Sequence, residues 1–298
     1  AQYNLAKCYY DGKEVEQSFE KAVKWYEKAA KQGYAKAQNA LGVCYHKGEG
    51  IEESLEKAVE WFEKSAKQGD SEGQVLLGLS YCMGTGVEQS FKKAAEWFEK
   101  AAKQGDAEGQ CALGECYSNG EGVEQSFEKA AEWFERAANQ GYAEGQTKIG
   151  ICYYKGQGVA QSDVVAVEWW QKAAEQNYGE AQSLLGYAFL KGQGVGQSDE
   201  EAVAWFELAA QQGDIDAQRD LGNCYFQGKG VDQSYEKAIG WYERAAQQGD
   251  KEAQMLLGLC YEQGKGTDRS QAKAIFWIEK SCKNYNTRAC EYLKKFNK

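Results

Sequence analysis

The sequence predicts an all-α solenoid of eight 36-residue helix-turn-helix repeats, closed by a short terminal helix. Three observations carry this. Tryptophan recurs at Trp25, Trp61, Trp97, Trp133, Trp169, Trp205, Trp241 and Trp277, every 36 residues without a slip. Proline is absent from all 298 residues, as befits a chain that is nearly all helix. Glycine pairs recur between apolar stretches of helical period and supply the stops that proline does not. A fixed period of this size means one supersecondary unit copied and stacked. The copies run 1–36, 37–72, 73–108, 109–144, 145–180, 181–216, 217–252 and 253–288, and residues 289–298 begin a ninth, polar end helix.

Copy four, residues 109–144, shows the elements in order. Its first helix is expected from about Gly109 to Asn119, with Leu113 and Tyr117 four apart on one face and Gly114 between them. The loop Gly120-Glu121-Gly122-Val123 ends it, because its glycines tolerate positive φ. Seven of the eight copies keep both glycines, whereas copy one has Glu14 in the second slot. Ser126 then precedes the second helix, and a serine holds this slot in every copy, well placed as an N-cap. Ala130, Trp133, Phe134, Ala137 and Ala138 follow at helical spacing, and Gln140-Gly141 closes the unit. The indoles are expected to wedge between successive hairpins, interdigitated with Ala and Gly. The outer face carries acid-first pairs four residues apart: Glu60 and Lys64, Glu96 and Lys100, Glu132 and Arg136, Glu168 and Lys172. These read as a solvated, ion-paired surface.

Composition bounds the function. A net charge of −10 with interspersed signs argues against nucleic acid, which needs a basic face, and disfavours anionic membranes. No apolar run is long enough to insert in a bilayer and no secretory h-region is present. The chain starts at Ala1 without Met and in register, which reads as a processed or excised fragment. Six of the ten cysteines (Cys8, Cys44, Cys116, Cys152, Cys224, Cys260) share one repeat slot that Ser80 and Ala188 also fill, so they read as small packing residues.

Enzyme chemistry finds little footing. Gly-x-Gly recurs seven times, but a helix precedes it and the dinucleotide fingerprint needs a strand. His46 is the only histidine and has no partner at a fixed spacing. No CxxC exists, so zinc through Cys82, Cys111 and Cys116 is a weak signal. Acid pairs such as Glu52 and Glu53, or Glu200 and Glu201, sit at loops or helix starts, where the helix dipole favours them. No cofactor, metal or catalytic residue is therefore expected.

In copy seven the recurring residues are Ala217, Leu221, Gly222, Tyr225, Gly228, Gly230, Val231, Ala238, Trp241, Tyr242, Ala245, Ala246 and Gly249. This pattern resembles the Sel1-like repeat, a relative of the tetratricopeptide repeat, and the resemblance covers the whole chain. One departure is the serine before the second helix, where the family usually has Asp; both are good N-caps. The resemblance implies a right-handed α-solenoid and a role as an adaptor in protein complexes. Lys280-Ser281-Cys282 followed by Cys290 is similar to exported, cysteine-rich bacterial members, which implies a Cys282–Cys290 disulfide and tilts the expected compartment towards an extracytoplasmic one.

By analogy with tetratricopeptide repeats, the third, seventh, tenth and eleventh residues of each copy line a concave groove. The partner-binding candidates there are Val75, Leu79, Met83, Ile151, Tyr154, Tyr187, Leu190, Arg219, Asn223, Phe226, Met255 and Leu259. An apolar residue in an otherwise polar slot marks a contact surface. Tyr154, Tyr187 and Phe226 are expected to touch a partner; Leu79 and Leu259 either do so or pack against neighbouring helices. The function this predicts is a scaffold for a partner peptide or protein. The alternatives are a self-associating structural repeat, growing through an N-terminal copy that has no cap, and an exported cysteine-rich protein acting on cell-wall or β-lactam substrates.

Overall fold

Each copy folds as a hairpin because its glycine loop breaks one helix and its serine starts the next. A computed structural model describes residues 1–296. The first helices of the copies are α1 (Gln2–Asp11), α3 (Ala35–Lys47), α5 (Ser71–Met83), α7 (Ala107–Asn119), α9 (Ala143–Lys155), α11 (Gly179–Lys191), α13 (Ile215–Gln227) and α15 (Lys251–Gln263). The second helices are α2 (Phe19–Lys31), α4 (Leu55–Lys67), α6 (Phe91–Lys103), α8 (Phe127–Asn139), α10 (Asp163–Glu175), α12 (Asp199–Gln211), α14 (Tyr235–Gln247) and α16 (Gln271–Lys283). The expected end helix is α17 (Thr287–Phe296), and residues 297–298 lie outside the described residues. No strand occurs among the described residues. The chain is an all-α solenoid.

The helices gather into two compact units, one of residues 1–152 with 156–160 and one of residues 153–155 with 161–298. Within each, helices pack on their neighbours in sequence, and first helices also touch across copies, as α3 does α5 and α11 does α13.

Every second helix starts as the sequence predicts. Ser126 Oγ accepts from the Lys129 amide, and the same bond recurs from Ser18 to Ser270. Four of the first helices carry a side-chain cap as well: Asp70, Asp106, Asp214 and Asp250 each accept from the amide three residues on. The second loop glycine is fixed by a neighbour. A Cβ on Gly122 would lie 2.1 Å from the carbonyl oxygen of Phe91, in the preceding copy, and Gly122 also holds φ 75°.

The core corrects the expected role of the indoles. The residue that fills the hairpin follows each periodic tryptophan: Tyr26, Phe62, Phe98, Phe134, Trp170, Phe206, Tyr242 and Ile278 are all buried. Phe62, Phe98, Phe134, Phe206, Tyr242 and Ile278 sit against the helix glycine opposite them. A methyl on Gly114 would meet Phe134 Cδ1 at 2.7 Å, and one on Gly222 would meet Tyr242 Cε1 at 2.5 Å. The periodic indoles are half-buried at the edge of this core. Their outer faces take the bases that the sequence assigns to ion pairs: Lys64 lies 3.8 Å from the Trp61 ring centre, Lys100 3.5 Å from Trp97, Arg136 4.3 Å from Trp133 and Lys172 4.0 Å from Trp169. The ion pairs on this face are shifted to Glu27–Lys31, Glu63–Lys67 and Glu99–Lys103. A cation on an exposed ring gains about 0.5–1 kcal/mol, against about 0.3–0.5 for an exposed i,i+4 pair, so the indole wins.

Buried glutamines tie the copies together. Gln182 Nε2 donates to the Ala174 carbonyl, while its Oε1 accepts from Gln212 at 2.6 Å. Gln74 and Gln104, Gln110 and Gln140, and Gln218 and Gln248 repeat the pairing. Five of the six periodic cysteines are buried, as a packing role requires. Burial pushes the thiols of Cys44, Cys224 and Cys260 up to about 11 and that of Cys116 to about 12. They are neutral and poor nucleophiles at neutral pH. The sulfurs of Cys282 and Cys290 lie at disulfide-bonding distance, with Cα atoms 4.8 Å apart, linking α16 to α17.

Candidate binding crevices

The groove candidates divide by depth. The third residue of a copy faces its neighbours, not solvent. Val75 is 2 % exposed, within the cluster that holds Ala94 and Phe98, and Met255 is 3 % exposed, beside Ile278 and Ala289. Both are core residues with no surface to offer a partner, which corrects their assignment to the groove. Leu79 and Leu259 pack against the same two clusters, half-covered. Met83 stands at the end of α5, 59 % exposed. Ile151 is half-buried on α9.

The tenth residue of one copy, the seventh of the next and the buried aromatic between them build a crevice that recurs with the repeat. It is roomier in copies five and six than in copies six and seven or copies one and two. There Tyr154, Trp170, Leu184, Tyr187, Ala188, Lys191 and Gln193 enclose about 290 Å³. The Tyr154 ring leans on Trp170 with centres 5.7 Å apart, and the Tyr187 ring meets Phe206 edge-on at 5.3 Å. The Tyr154 hydroxyl donates to Gln193 Oε1 at 3.3 Å. The floor is Trp170, the one tryptophan outside the 36-residue series. It is not among the residues that the repeat pattern picks out, and its departure from the series is the signal that marks it.

One copy further on, Leu190 takes the place of Tyr154, Asp220 that of Leu184, Asn223 that of Tyr187 and Lys229 that of Gln193, around about 210 Å³. In the first unit the equivalent crevice, at Tyr10, Tyr26, Ala40 and Val43, holds about 130 Å³, and there Tyr10 donates to Glu49. In copies seven and eight the ring of Phe226 is held by Tyr235, 5.0 Å away, and Tyr242, 6.5 Å away. Lys265 covers the Phe226 ring at 5.0 Å. Phe226 is thus engaged within its own fold, as Tyr154 is through Trp170 and Gln193.

A polar wall separates the two clefts of copies five to seven. Arg219 donates to Asp216 at 2.6 Å, to Asp250 at 3.1 Å, to Asp220 at 3.1 Å and to the Tyr187 hydroxyl at 3.1 Å. Tyr187 donates to Asp220. Asn223 donates to Asp220 at 3.0 Å and accepts from Tyr242 at 2.9 Å. Burial pushes the Asp220 carboxyl up to about 6, with Asp250 adding to it against the bond from Asn223. Tyr187, Arg219 and Asn223 therefore have fixed positions, a pre-organised wall for a ligand. Asp220 was not among the sequence candidates; its slot holds Leu184 or Leu256 in adjacent copies, and that switch was the available signal.

The crevices offer shape, aromatic faces and a few polar groups. Among the described residues, no group of three or more His, Cys, Asp and Glu side chains is placed to hold a metal, and no helix is long and apolar enough to cross a membrane. His46 is exposed on the last turn of α3.

The Sel1 repeat model matches residues 1–34, 35–70, 71–106, 107–142, 143–178, 179–214, 215–250 and 251–286. The chain belongs to the Sel1-repeat family. Its repeats match a Sel1 repeat protein from Oxalobacter formigenes at 31 % identity and TM-score 0.75, over 99 % of this chain and 86 % of that one. A protective antigen of uropathogenic Escherichia coli with an SLR fold matches at 32 % identity and TM-score 0.65, over 94 % and 68 % respectively. Yeast Tom70 shares the fold alone, at 14 % identity and TM-score 0.51, over 93 % of this chain and 58 % of its own. No curated protein matches this Sel1-repeat chain.

Proposed function

We propose that this Sel1-repeat chain is a scaffold that holds an extended segment of a partner protein in the crevices of copies five to seven. Sel1-repeat solenoids are typically protein-interaction scaffolds and typically non-catalytic. The observation that carries the reading is the widening of a repeated crevice to about 290 Å³ where its lining becomes Tyr154, Trp170, Leu184 and Tyr187. Aromatic-lined pockets of this kind anchor apolar side chains and hold most of an interface's energy. The adjoining cleft, with Asp220, Asn223, Gln227 and Lys229, suits polar groups of the same segment, one residue type after another along the stack.

The test fills the crevice without touching the polar wall. A photo-reactive residue placed at the exposed Lys191 should cross-link a protein partner in extracts of the source cells. Leu184→Trp should abolish that cross-link while far-UV circular dichroism stays unchanged. Cross-linking that survives the filled crevice would place the partner elsewhere and end this reading.

A further inference from the structure

Seven of the eight periodic indoles carry a base from three residues on, and the eighth does not. Lys28, Lys64, Lys100, Arg136, Lys172, Arg244 and Lys280 cover Trp25, Trp61, Trp97, Trp133, Trp169, Trp241 and Trp277 at 3.5–5.0 Å from the ring centres. Trp205 has Leu208 in that place, 43 % exposed. A second base is lost beside it. Lys21, Lys57, Lys93, Lys129, Lys237 and Lys273 each lie over a tyrosine of the preceding helix. The sixth copy has the exposed Glu201 in that slot. Glu201, Trp205 and Leu208 follow one another at i, i+4 and i+7, so they share one face of α12. The helix holds four acids, Asp199, Glu200, Glu201 and Glu207, and no base.

We propose that this face of α12 is a docking surface for a lysine- or arginine-bearing segment of a partner protein. The molecule itself shows what an indole in this register takes on its outer face, namely a cation. In the sixth copy the chain supplies none, and it has reversed the local charge so that a cation from outside is attracted rather than repelled. The same carboxylates repel nucleic acid and anionic lipid, which leaves a basic protein segment as the matching occupant. Leu208 adds an apolar edge beside the ring, so the segment carries an apolar residue next to its base. Glu200 and Glu207 are engaged with Ser198 and Tyr225, and Asp199, two residues before Glu201, points from another side of the helix, which leaves Glu201 as the acid facing the docked cation. This surface is formed by the second helix of its copy, and the proposal stands apart from the crevice reading.

The experiment uses the full chain labelled with 5-fluorotryptophan, whose ¹⁹F spectrum resolves the indoles, with the Trp205 line assigned through Trp205→Phe. The probe is a short peptide alternating arginine and leucine, with a glutamate–leucine peptide as its counterpart. The basic probe should shift the Trp205 line saturably, leave the seven base-covered indoles in place, and lose effect as salt rises. Leu208→Lys restores the base found in the other copies. It should weaken binding about tenfold or more without lowering the melting temperature. Glu201→Lys should act in the same direction. A Trp205 line that stays still, indoles that all move together, or a Leu208→Lys chain that binds like wild type would each overturn the proposal. Leu184→Trp should leave the Trp205 response intact, so failure of the crevice reading and failure of this one are read separately.

Discussion

A methyl group on Gly222 would lie 2.5 Å from Tyr242 Cε1 and 3.3 Å from the Ala238 carbonyl oxygen, whereas one on Gly240 would meet nothing within 4 Å. Both glycines are helical, so intrinsic propensity favours alanine at each by about 1 kcal/mol. The surroundings decide the sign. Gly240→Ala should stabilise the chain by about 0.5–1 kcal/mol, and Gly222→Ala should destabilise it by about 1–3 kcal/mol as the ring is forced off its rotamer. Urea midpoints of the two variants should move in opposite directions. Asp220 makes the second prediction at this scale. Its carboxyl is raised by burial to about 6, above the roughly 3.9 of an unfolded aspartate. Between those values the folded state binds more protons than the unfolded one, so this group's contribution is fully present below about pH 4 and is lost as pH rises through about 6. Asp220→Asn should remove that slope. Wild type should therefore lose stability relative to the variant between pH 4 and 7, as measured by denaturant midpoints at each pH; the opposite trend would mean that Arg219 outweighs desolvation.

At the scale of the element, helix boundaries and the joints between copies rest on different residues. Ser234 Oγ accepts from the Lys237 amide at 3.3 Å at the start of α14. Ser234→Ala should cost about 1 kcal/mol and show first as faster amide exchange in the first turn of that helix. Gln218 is a joint. It is 4 % exposed, donates to the Ala210 carbonyl at 3.1 Å and accepts from Gln248 at 2.9 Å. Gln218→Leu keeps the volume but strands a buried carbonyl and an amide. It should cost about 1–3 kcal/mol, more than the surface change Gln211→Leu in the same thermal melts.

For the molecule at large, stability within each unit is close to a sum of local terms, because its helices contact their neighbours in sequence. The link from Cys282 to Cys290 closes a short loop at one end. Loop-closure entropy assigns it about 2–3 kcal/mol, spent on α17 and its contact with α16. Reduction, or Cys290→Ser, should thus expose α17 amides to exchange while leaving α12 and α14 protected. A uniform loss of protection along the chain would show that the copies melt together.

Periodicity alone determined the fold class, the serine caps, the glycine loops and the buried cysteines, since each recurs in a fixed slot and answers to local backbone chemistry. The resemblance to a known family added the Cys282–Cys290 pairing. Depth was decided only by tertiary structure. The slot after each tryptophan, and not the tryptophan, enters the hairpin, because in most copies a glycine faces it and leaves room there, and the indole is left at the edge. Val75 and Met255 look like groove residues by slot and are core by packing, since neighbouring helices close over the third position. Trp170, Asp220 and Leu208 were legible as breaks in the series, but the sequence could not say which break opens a crevice, which builds a wall and which bares a ring. Those outcomes depend on contacts between residues about one repeat apart, which spacing along the chain does not encode.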